Sequence, residues 1–141
     1  MKMPFINKVF LSYSNSKKNK TLEHRKKIGE LYYTLLNDID SISIPFTPKN
    51  LEVYYCRFPI LVKDKQLLLQ HARAKHFEIS SWYESPVHPL TRDQLIDVGY
   101  INGSCQNVEK LCDSVVSLPV NNRVTEENVR QLSDFLHSEY R

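Results

Sequence analysis

Apolar residues recur at Ile28, Leu31, Tyr32, Leu35, Leu36 and Ile39. This is the i, i+3, i+4, i+7 stripe of an amphipathic helix, predicted over residues 21–40. Prolines 45 and 48 stop it, because proline cannot continue a helix. Residues 53–62 then turn aromatic and β-branched, which predicts a strand with Tyr54, Cys56, Phe58, Ile60 and Val62 on one face. Pro59 has no N–H, so this strand is an edge or carries a bulge. Asp64 is the expected N-cap of a helix over 65–76, buried through Leu67, Leu68 and Ala72. A short extended segment, 77–83, and an irregular stretch, 84–102, follow.

A third helix is expected from about Ser104, with Val108, Leu111, Cys112 and Val115 at helical spacing. A short strand within 115–120 ends at Pro119, and Thr125 caps a last helix with Glu126 and Glu127 in its positive first turn. The buried stripe of that helix is Val129, Leu132, Leu136 and Tyr140. The order α, β, α, β, α, β, α predicts an α+β fold: a small sheet of few strands packed with about four helices.

The chain has 141 residues, enough for one compact domain. No apolar run approaches the ~18 residues of a spanning helix, and no signal peptide is read at the start. With three glycines, Gly29, Gly99 and Gly103, a glycine-rich phosphate loop is not available. Charge is uneven: residues 1–27 carry a net +7 and the remainder −4. We therefore read residues 1–20 as a basic, weakly ordered segment and 21–141 as the packed domain. The basic tract is a solvated arm, or else a site for a polyanion. The aromatics lack the basic-glycine-aromatic pattern of RNA-recognition modules, which argues against a nucleic-acid binder.

Cys56, Cys105 and Cys112 include no Cys-x-x-Cys pair, and the five histidines do not pair with them at zinc spacing. Free thiols in a reducing, cytoplasmic setting and no metal site are expected. Cys56 and Cys112 read as core thiols.

Three segments in order resemble one family. They are YYCRFPILVKDKQLLLQHARAKHFEISSWY (54–83), the Tyr83–Pro86–His88 cluster in WYESPVHPL, and VEKLCDSVVSLPVNNRVTEENVRQL (108–132). The most characteristic feature is Leu118-Pro119 followed by Arg123, Thr125 and Glu126 before the closing helix. Over about residues 22–141 the chain is similar to the C-terminal region of the DegT/DnrJ/StrS aminotransferases. The resemblance implies the small C-terminal domain of a fold-type I pyridoxal-phosphate enzyme acting on nucleotide-linked keto-sugars. It departs from the family at Trp82 and Asn121, where a histidine is frequent. The family's large domain, with its Schiff-base lysine, its acid facing the pyridine nitrogen and its phosphate cup, has no counterpart here, and none of the lysines sits in such a segment.

The resemblance implies that Tyr83 donates a hydrogen bond to substrate or cofactor and that His88 contacts substrate or phosphate. The plain alternatives are an aromatic anchor and a surface histidine. Arg57, on the strand face opposite Phe58, suits a carboxylate; more often such an arginine is a half-exposed strand residue. No catalytic residue is assigned. Asn102-Gly103-Ser104 is an anion site or a plain N-cap. Trp82 is core or an interface plug. The expected function is a truncated or split part of a sugar aminotransferase, inactive alone and partnered by a large pyridoxal-phosphate domain in trans or a second subunit. The alternative is a stand-alone interaction module with the same fold and a basic arm.

Overall fold

The computed structural model describes residues 5–48 and 50–140. Among the described residues, four α-helices, one 3-10 helix and a two-stranded antiparallel sheet make up the α+β fold. The helices are α1 (Phe5–Leu36), α2 (Lys65–Ala74), α3 (Gln106–Ser114) and α4 (Glu126–Tyr140). The strands are β1 (Phe58–Leu61) and β2 (Val115–Leu118), and the 3-10 helix spans Arg92–Val98.

The amphipathic stripe behaves as its spacing dictates: Ile28, Tyr32 and Leu36 of α1 are fully buried, and Ile39 follows in the turn. They pack in one cluster with Val129, Leu132 and Leu136 of α4 and with Phe58, Ile60, Val116 and Leu118 from the sheet. Each such side chain contributes about 1.5–3 kcal/mol by leaving water. Tyr32 and Phe58 meet with ring centroids 5.3 Å apart. The helix start expected at Thr21 lies instead at Phe5, so α1 takes in residues 5–20 of the basic arm. Ser12, Ser14, Lys18 and Lys20 there are exposed. The first four residues of the arm lie outside the described residues.

The strand over 53–62 is shorter than its pattern. Pairing covers Phe58 to Leu61 in register with Leu118 to Val115. Cys56 is exposed, near Arg25 (Nη1 to Sγ 3.7 Å), and is not a core thiol. Alternation fails there because the backbone bends at Cys56 and Arg57 before the ladder begins. Pro59 fits an edge. Leu61 N–H donates to Ser43 O on the side away from β2, so by strand periodicity the Pro59 nitrogen faces that side too.

The expected extended segment 77–83 is reduced to one bridge, Ser80 with Ser117. In α2, Leu68 and Ala72 are buried as expected, but Leu69 is buried in place of Leu67, which is half exposed. Asp64 occupies the N-cap position of α2 without a side-chain capping bond. In α3, Cys112 is buried while Val108 and Leu111 stay exposed. α4 is capped as expected. Asn128 N–H donates to Thr125 Oγ1 (3.2 Å), and Thr125 N–H donates back to Asn128 Oδ1 (3.0 Å).

Candidate functional site

Of the predicted site residues, Tyr83 lies toward the α3 end of β2, whereas Arg57 precedes Phe58, which pairs with Leu118 at the other end. Lys65 opens α2 and is 3% exposed. Its ammonium donates to Cys112 O (2.7 Å) and Tyr83 O (3.2 Å), tying the 81–91 loop to α3. Burial holds the Lys65 pKa below its usual value, partly opposed by Glu84. Burial also pushes the Cys112 thiol up. The loop is braced from inside by Ser85, whose hydroxyl is directed at Leu90 O (2.6 Å) and Val87 O (3.1 Å). Arg92 ties it down again, donating to Glu84 O (3.3 Å) and pairing with Asp113. The His88–Pro89 peptide is cis.

On this frame Tyr83 and His88 come together, ring edge to face, with centroids 5.5 Å apart. Tyr83 is about half exposed. Arg57 meets a different pair: Nη1 donates to Ser80 Oγ (2.8 Å), and the guanidinium lies 4.9 Å from the Trp82 ring centroid. Trp82 is half exposed, an aromatic plate under Arg57 rather than a core residue. The arrangement offers a phenol, an imidazole and an indole-backed guanidinium on neighbouring surface. Beside it lies a cleft of about 560 Å³ between Lys65, Glu84, Arg92 and Asp113.

Sequence reasoning missed Lys65 and Ser80. A lysine at the first position of an amphipathic helix reads as solvated, and only the packed loop shows that it is enclosed. The Asn102–Ser104 turn is already satisfied: Gly103 N–H donates to Glu109 (2.7 Å), as does Tyr100 Oη (2.8 Å). These donors hold the Glu109 pKa below the usual carboxylate range. Among the described residues, no cluster of three or more His, Cys, Asp or Glu could hold a metal ion, and no helix is long and apolar enough to cross a membrane.

Pyridoxal phosphate needs a free lysine amine and a cup of backbone N–H groups for its phosphate. The described residues do not fit it. The ammonium of Lys65, the buried lysine, is occupied by two carbonyl oxygens, and Gly103 N–H is occupied by Glu109.

The fold is that of one portion of sugar aminotransferases. DesV from S. venezuelae, solved with a ketimine intermediate, superposes with a TM-score of 0.82 at 18% identity, over 93% of this chain and 35% of DesV. A DegT DnrJ EryC1 StrS aminotransferase from Brucella abortus gives 0.71 at 19% identity, over 86% and 31%. The sugar aminotransferase Spr1654 from Streptococcus pneumoniae gives 0.74 at 15%, over 85% and 31%. The chain thus spans about a third of the length of these enzymes. Residues 13–137 match the DegT/DnrJ/EryC1/StrS aminotransferase family, and the chain belongs to it. Among curated protein sequences there is no match.

Proposed function

We propose that this chain works as the C-terminal part of a pyridoxal-phosphate-dependent sugar aminotransferase, acting together with a cofactor-bearing large domain. The observation that carries this is the coverage: 93% of this chain matches 35% of DesV, and residues 13–137 match the DegT/DnrJ/EryC1/StrS aminotransferase family. The substrate class is a nucleotide-linked keto-sugar; a relative of the same fold, DesI, is described with its TDP-sugar product. Tyr83, His88 and Arg57 contact that substrate from the exposed loop and the Trp82 plate. Alone, the chain is inactive, because the described residues offer neither a free buried lysine nor a free cup of backbone N–H groups for the cofactor phosphate. Residues 21–141 are its packed unit, and its setting is the reducing cytoplasm, where Cys56, Cys105 and Cys112 stay as thiols.

The test is complementation. The chain with pyridoxal phosphate, an amino donor and a nucleotide-linked keto-sugar should give no turnover, and borohydride should fix no cofactor to its lysines. Adding a large domain of the family should restore turnover, and Tyr83→Phe should then weaken it. Turnover by the chain alone, or a formed complex without turnover, overturns the proposal.

A further inference from the structure

A second cavity lies at the other end of β2. Ser80 pairs with Ser117, so Trp82 and Tyr83 run toward α3, while Phe77 and Glu78 run past Pro119. There α1, the end of α2, the 119–125 loop and α4 border an open cleft of about 910 Å³, within the usual range for small-molecule sites. The loop is fixed to α1 by His24 Nε2 with Asn121 O (3.1 Å) and by Asn122 Nδ2 donating to Thr21 Oγ1 (3.1 Å).

The lining is rich in unspent donors. Tyr32 is fully buried, lines this cavity, and its hydroxyl has no hydrogen-bond partner. Arg25 Nε, also buried, is likewise unpartnered, while Nη1 of the same guanidinium faces Cys56 Sγ (3.7 Å). Among the described residues, neither Arg25 nor Arg123 pairs with a carboxylate, and both line the cavity. Asn121 Oδ1 already accepts from Arg123 N–H, and Asn128 Oδ1 accepts from Thr125, which leaves the NH₂ ends of both amides to offer. Acceptors are fewer: the Glu78 carboxylate, and Gln131 Oε1, whose NH₂ is engaged by Glu127.

We propose that this cavity binds a phosphorylated polyol of sugar-phosphate size, its phosphate held by Arg25, Arg123 and Tyr32 and its hydroxyls by Glu78 and Gln131. Paired guanidinium and phenol donors match the fork of acceptors on a phosphate dianion. A bare inorganic anion leaves most of the volume unfilled. The site is separate from the Tyr83–His88 corner and does not rest on the aminotransferase reading.

Titration of the full chain with glucose 6-phosphate at physiological salt tests it. Saturable one-to-one binding is expected, with inorganic phosphate weaker and glucose silent. Arg123→Gln, at an exposed position that leaves the core intact, should weaken binding about tenfold or more, as loss of a charge-assisted pair does. Tyr32→Phe, which keeps the ring, should weaken it several-fold. Lys18→Gln with Lys20→Gln, in the basic part of α1, should leave it unchanged. No saturable binding, affinity unchanged in Arg123→Gln, or loss on removing Lys18 and Lys20 overturns the proposal. Inorganic phosphate binding as tightly as glucose 6-phosphate overturns the polyol assignment.

Discussion

Lys65, the first residue of α2, donates from its buried ammonium to the carbonyl oxygen of Cys112 at 2.7 Å, joining two helices that are far apart in sequence. The same ammonium reaches Tyr83 O, so one side chain sets the base of the candidate loop. Lys65→Met keeps the apolar stem but leaves two carbonyl groups unpaired. It should cost about 1–3 kcal/mol, read as a lower urea midpoint. An unchanged midpoint would show that water serves those carbonyls equally well.

Arg57 and Trp82 form a contact that fluorescence can follow. Arg57→Ala should alter Trp82 emission and its accessibility to acrylamide. The stability change should stay below about 1 kcal/mol, since cation–π contacts at exposed sites are weak. Unaltered emission would mean that the indole is held by other contacts.

Gly29 sits on the buried face of α1 under the Tyr55 ring, and a Cβ there would lie 2.5 Å from Tyr55 Cδ2. That ring packs edge-on against Phe58 at 4.9 Å and its hydroxyl lies 3.3 Å from Thr47 Oγ1, so it cannot simply swing away. Gly29→Ala gains about 1 kcal/mol of helix propensity and loses about 1–3 kcal/mol to overpacking. The net effect should be a lower Tm. In a Tyr55→Leu background the same substitution should raise it.

Burial raises the pKa of Tyr32 well above 10.0 and that of Tyr140 from 10.0 to about 12. Both phenols stay protonated in the fold and ionise more readily when unfolded. Their stabilising contribution is complete below pH 10 and is lost as pH rises through the folded values. Lys65, with its lowered pKa, acts in the opposite sense. Two tyrosines outweigh one lysine, so stability should fall between pH 10 and about 12, and Tyr32→Phe should fall less steeply. Parallel pH curves for the two proteins would contradict the burial of this phenol.

Periodicity and capping chemistry alone determined the elements that local rules govern. The Ile28–Tyr32–Leu36 stripe, the Val129–Leu132–Leu136 stripe and the Thr125 cap follow from helical spacing and from one side chain reaching its own backbone. The order of segments around Leu118-Pro119 pointed to the family. Tertiary structure decided what depends on distant partners. Cys56 is exposed because β1 pairs only from Phe58, where β2 is long enough to meet it. Leu69 is buried in place of Leu67 because the core and not the pattern sets the rotation of α2. Lys65 and Tyr32 gain their chemical meaning from chain far away in sequence: a lysine is enclosed only where a loop covers it, and a phenol is orphaned only where no acceptor is packed against it. Such pairings join residues with no fixed spacing between them, so no pattern along the chain can register them.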